Sequence, residues 1–144
     1  MRVSLMPVLV LMVAGVLDTS LHAQTTDRSV WDGVFTDAQA SRGKPLYARE
    51  CAKCHGEELT GGEEAPPLAG EAFLSNWNGL TAGDLFDRIR KSMPQQAPGT
   101  LSRQQNADIL AFMMMMNHYP SGKTELQTQT EILKQIKIEP KPGG

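Results

Sequence analysis

The sequence predicts an all-α domain, a small bundle of helices, and three observations predict it. Three segments open on a Ser or Thr with an amide or acid three residues on, namely Thr36 with Gln39, Thr81 with Asp84 and Ser102 with Gln105. That pattern marks a helix start, because each side chain of the pair can bond the other residue's free backbone N–H. No run alternates apolar and polar residues convincingly enough to read as a strand. The chain has 144 residues, one domain's length on the usual range of roughly 100–200 residues.

The elements follow in chain order. Arg2 gives a positive start, Leu5 to Leu17 is an almost unbroken apolar run, and Leu21-His22-Ala23 ends on a small residue. That order is a secretory signal, residues 1–23, cleaved after Ala23. The apolar run is shorter than the ~20 residues a spanning helix needs, so stable membrane insertion is not expected. Residues 24–35 are polar with isolated large apolar side chains and read as an extended arm. Residues 36–120 form the domain proper. Its first helix opens at Thr36 and carries Gly43, Tyr47, Cys51 and His55 at intervals of four; Pro45 should fall in its first turns or bend it, and Gly56 closes it.

Residues 56–70 hold four glutamates, four glycines and two prolines, so they form a loop, followed by a short helix over 71–76. A further helix opens at Thr81, shows Leu85, Phe86 and Ile89 on one face, gathers Arg88, Arg90 and Lys91 in its last turn, where cations suit the helix dipole, and stops at Met93-Pro94. The last main helix opens at Ser102. It places Ile109, Phe112, Met113 and Met116 on one face, in the i, i+3, i+4, i+7 pattern of an amphipathic helix. Pro120 and Gly122 end it. The tail, residues 121–144, reads as mostly irregular, with a helical possibility over 130–136.

Composition narrows function. The formal charge is −2, which gives no basic face for nucleic acid. Aromatic content is 6%, low for a core made of side chains alone, and compatible with a core built around a bound group. The two cysteines both lie in Cys51-Ala52-Lys53-Cys54-His55. Such a pair can be a redox disulfide, but that reading calls for strand–helix–strand flanks, and these flanks are helical. Two thiols and a histidine can begin a zinc site, but no second cluster supplies the missing ligand. The C-x-x-C-H spacing fits covalent haem attachment, with both thiols on one helical turn and the next imidazole aimed at the iron.

These residues resemble the class I c-type cytochromes, the monohaem bacterial cytochrome c family, over Thr36 to Pro120. Gly43, Tyr47 and Cys51 look like that family's Gly–aromatic–Cys stripe, and Asp108 to Phe112 like its C-terminal helix, with Ile109 and Phe112 as packing residues. The resemblance implies a cytochrome c-like bundle around one covalently bound haem c, with the first and last helices crossing. It further implies that Pro66, in Ala65-Pro66-Pro67-Leu68, offers its carbonyl to the second nitrogen of His55. It makes Met93 the distal iron ligand opposite His55. A His/Met pair raises the reduction potential and leaves iron no open position, which suits an electron carrier and not an enzyme.

Other residues carry two readings each. Trp77 can donate to a haem propionate or simply pack. The run Met113 to Met116 is expected to send alternate members into the core beside haem, the others facing outward. His118 reads as a solvated histidine at the helix end, and Glu57, Glu58, Glu63 and Glu64 as a solvated turn. The expected role is a periplasmic single-electron carrier, taking electrons from a dehydrogenase or quinol oxidase and passing them to an oxidase or reductase. Val30 to the haem motif and the tail from Ser121 are also similar to cytochromes that accompany pyrroloquinoline-quinone alcohol dehydrogenases, so a docked subunit is the alternative. An enzyme or gas sensor with an open iron site is a third.

Overall fold

The first and last main helices cross at a glycine, and the rest of the fold is arranged around that crossing. A computed structural model describes residues 27–143; the segment read as an export signal, and its cleavage point, lie outside these residues. Helix α1 spans Asp37–Glu50 and α5 spans Arg103–Met116. A Cβ built on Gly43 would overlap the backbone carbonyl of Asp108, so only glycine lets the two backbones approach this closely. One turn on, the rings of Tyr47 and Phe112 meet at 5.3 Å. The guanidinium of Arg42 closes the crossing from outside, bonding both Asp108 and Glu125.

Two of the three capping boxes read from the sequence form in full, and at Thr36 only half forms because the Gln39 side chain bonds Leu126 instead. Thr36 accepts from the amide of Gln39, and Thr81 with Asp84 and Ser102 with Gln105 make reciprocal boxes. Helix α1 runs past Pro45, which sits in its interior rather than its first turns. It breaks at Cys51, and the haem motif forms a separate short helix α2, Ala52–His55, closed by Gly56 at φ +80°. Helix α3 spans Gly70–Trp77, and α4 spans Ala82–Ser92 with Met93 as its C-cap. The fold is all-α in character, a small helical bundle.

Three local expectations are corrected. Helix α5 is not amphipathic: Asn106 to Met114 are all buried, because α1 and α4 both pack against it. Met113 and Met114 are both buried while Met115 and Met116 are partly exposed, so the four methionines divide by depth along the helix and not by alternation. The expectation of no strands also fails in a small way. Strand β1, Arg28–Ser29, pairs in parallel with β2, Ile136–Lys137.

That pairing belongs to a larger clasp. The arm folds back against the tail, and Val30, Val34 and Phe35 are buried with Leu126, Leu133, Ile136 and Ile138. Trp31 meets Tyr119 edge-on at 4.9 Å and donates its Nε1–H to the carbonyl of Glu139. The buried amide of Gln39 exchanges two hydrogen bonds with the backbone of Leu126. The tail's short helix α6, Thr130–Leu133, sits on α4 at Gly83, where a Cβ would overlap the backbone of Lys134 and Thr130. The tail is irregular along most of its backbone, yet its spaced apolar residues supply part of the core.

Candidate haem site

On the side of α4 away from α6, the helices leave a cavity of about 390 Å³, within the range of about 300–1,000 Å³ typical of small-molecule and cofactor pockets. Its walls come from every helix except α6. The α1–α2 junction contributes Cys51, Cys54 and His55, the end of α3 Trp77, α4 Leu85 and Ile89, and α5 Ile109 and Met113. The loop ahead of α3 adds Pro66, Pro67 and Leu68, and Met93 and Pro94 follow α4. All six residues singled out from the sequence, Cys51, Cys54, His55, Pro66, Trp77 and Met93, therefore line one space.

The local chemistry distinguishes the readings left open for the cysteine motif. Both thiols are free. Burial, with the neighbouring Glu50 carboxylate adding to it, pushes the Cys51 thiol up to about 11, so it stays neutral at physiological pH. Reactive redox cysteines have the opposite property, a thiol acidified by positive surroundings. Among the described residues no group of three or more His, Cys, Asp or Glu side chains could hold a metal ion.

His55 is held in one orientation. The residue is 8% exposed, and Nδ1 lies 2.9 Å from the carbonyl oxygen of Pro66. A carbonyl can only accept, so the proton belongs on Nδ1 and the lone pair of Nε2 is left for a metal. The Tyr47 hydroxyl donates to the carbonyl of Gly56 at 2.8 Å, tying the turn after His55 back to α1. The loop itself is braced by the Leu68 amide on Leu59 and the Gly62 amide on Ala65. Trp77 is half-buried and stacked on Phe73.

Two thiols, a tautomer-fixed imidazole and a thioether around an apolar space make a donor set that fits haem. Glu50, Glu64 and Arg88 are the charged residues at its edge. The sequence reading missed Leu85 and Ile89 as cavity wall, while Met113 stands beside the haem space as expected of the methionine run. The helical periodicity of Leu85 and Ile89 was visible, but periodicity marks a buried face without saying whether protein or cofactor covers it. His118 is exposed at φ +59° and does not line the cavity.

A family model described as cytochrome c oxidase, cbb3-type, subunit III matches residues 38–113, more than half of the chain. The chain belongs to this family of c-type cytochromes. Haem c is thus its cofactor and electron transfer its role. No curated protein matches the chain. Among solved structures, sulfane dehydrogenase SoxCD from Paracoccus pantotrophus is similar in 24% of aligned residues with a TM-score of 0.49, over 74% of this chain and 61% of the SoxCD chain. Among the described residues no helix is long and apolar enough to cross a membrane.

Proposed function

We propose that this protein is a periplasmic single-electron carrier with one haem c held covalently by Cys51 and Cys54 and ligated by His55 and Met93. The observation that carries this reading is the hydrogen bond from His55 Nδ1 to Pro66, which leaves Nε2 as a metal-binding nitrogen in a cavity also lined by Met93. When bound, the haem supplies a one-electron iron couple. Cys51 and Cys54 fasten its edge through thioether bonds. His55 would hold the iron through Nε2, with its Nδ1–H donating to the Pro66 oxygen. Met93 offers a soft, neutral sulfur that favours the reduced state. Leu85, Ile89, Ile109 and Met113 would keep water from the haem, and Trp77 would offer its indole N–H to a propionate. Export, supported by the signal pattern at residues 1–23, matches the compartment in which haem is attached.

The experiment is the visible spectrum of the oxidised full-length protein and of Met93→Ala. The native spectrum should show the weak band near the red edge that marks sulfur–iron bonding, and the variant should lose it. A variant that keeps the band removes Met93 as ligand. Carbon monoxide binding to the native reduced protein would support the enzyme or gas-sensor reading.

A second reading, a subunit docked to a dehydrogenase or other respiratory complex, is favoured by the family's description as an oxidase subunit. Co-purification with a partner at constant stoichiometry would establish it, and recovery as a free chain from mild extracts would oppose it.

A further inference from the structure

Asn117 stands outside the cavity wall, at the C-cap of α5, and its amide joins three pieces of backbone. Nδ2 donates to the carbonyl of Leu68 and to that of Met113, each at 2.9 Å. Oδ1 accepts from the amide of Gly70 at 3.0 Å. Gly70 is the first residue of α3, and the preceding Ala69 has no side chain able to cap it. The first amides of a helix have no partner within it, so Asn117 caps α3 from another helix. The segment it grips begins two residues after Pro66, whose carbonyl holds His55 Nδ1. One side chain thus fastens the end of α5, the start of α3 and the strip of loop that orients the proximal imidazole.

We infer that Asn117 is a positioning residue for the His55 ligand. By pinning Leu68 and Gly70 it keeps the Pro66 carbonyl on Nδ1 and so sets how strongly Nε2 donates to iron. This rests on the reading of His55 as a haem ligand. Partners on the far nitrogen of a metal-bound histidine fix its ring and raise its basicity. A more basic imidazole stabilises ferric iron, so a firm bond lowers the reduction potential and a loosened one raises it.

The test compares haem-loaded native protein with Asn117→Ala and Asn117→Asp by hydrogen exchange, NMR of the His55 ring N–H and redox titration. Asn117→Ala should speed exchange of the Gly70 amide by roughly tenfold, the cost of one hydrogen bond, speed solvent exchange of the His55 Nδ1 proton, and raise the potential. Asn117→Asp keeps the acceptor for Gly70 and loses the donor to Leu68. It should leave Gly70 protected while still loosening the His55 proton, and it reports even if the alanine variant does not fold. Faster Gly70 exchange with unchanged potential and unchanged His55 proton would make Asn117 merely structural and overturn the inference. No change in any of the three would overturn it too. A native chain that carries no haem would instead overturn the His55 reading, and is recognised before any variant is compared.

Discussion

The haem cavity and the arm–tail clasp both lie against α4 and are built on opposite principles. On the cavity side, α4 and α5 present Leu85, Ile89, Ile109 and Met113 to a space the chain leaves unfilled. On the clasp side, the chain's own ends do the filling, with Val30, Leu133 and Ile138 almost completely buried. The difference teaches how a chain with few aromatic residues completes its core. One half is reserved for a cofactor, so its stability depends on that group. The other half is closed by side chains and should hold without it.

Four changes break or sharpen that comparison. The largest effect is expected from replacing both Cys51 and Cys54 with serine. Covalent haem should be lost, and thermal unfolding should show a loss above ~4 kcal/mol, the scale on which a tightly held ligand stabilises a fold. A variant of native stability would show that the cavity needs no cofactor. Leu133→Ala, on the clasp side, should cost about 2–5 kcal/mol in denaturant titration as a large-to-small core change, while the reduction potential stays put. A shifted potential would mean that the two sides are not separable. Gly43→Ala acts on the crossing both sides share. Its methyl meets the Asp108 backbone, so a cost of about 1–3 kcal/mol is expected from overpacking, and native stability would contradict the crossing.

The smallest effect concerns acid. The Asp87 carboxyl is held down to about 2, from an ordinary 3.8, by its bond to Lys91, with help from Thr130 and Arg90 and against some desolvation. A carboxyl with a lowered folded-state pKa stabilises the fold fully above about pH 4 and ceases to do so as pH falls through about 2. Asp87→Asn should therefore flatten the loss of stability between those values. An unchanged acid limb would show that the tie between α4 and the tail at Thr130 carries no weight.

What could be read from the sequence was what is local. Thr81 and Ser102 each exchange bonds with a partner three residues away, so a pattern reader sees the whole interaction. Cys51, Cys54 and His55 sit within five residues, and the Gly43–Tyr47 stripe follows the helix period. The clasp could not be read in the same way. Gln39 bonds Leu126 across 87 residues and Trp31 reaches Glu139 across 108, and the buried tail residues Leu126, Leu133, Ile136 and Ile138 follow no single period. Asn117 was silent for a related reason. An asparagine at a helix end is common, and its value here lies in where Leu68 and Gly70 come to rest.

A spectroelectrochemical titration of the haem-loaded full chain tests the central claim most directly. One haem held between His55 and Met93 predicts a single one-electron transition, with the red-edge band present in the oxidised form and lost on reduction. More than one transition, or an oxidised form without that band, would contradict it.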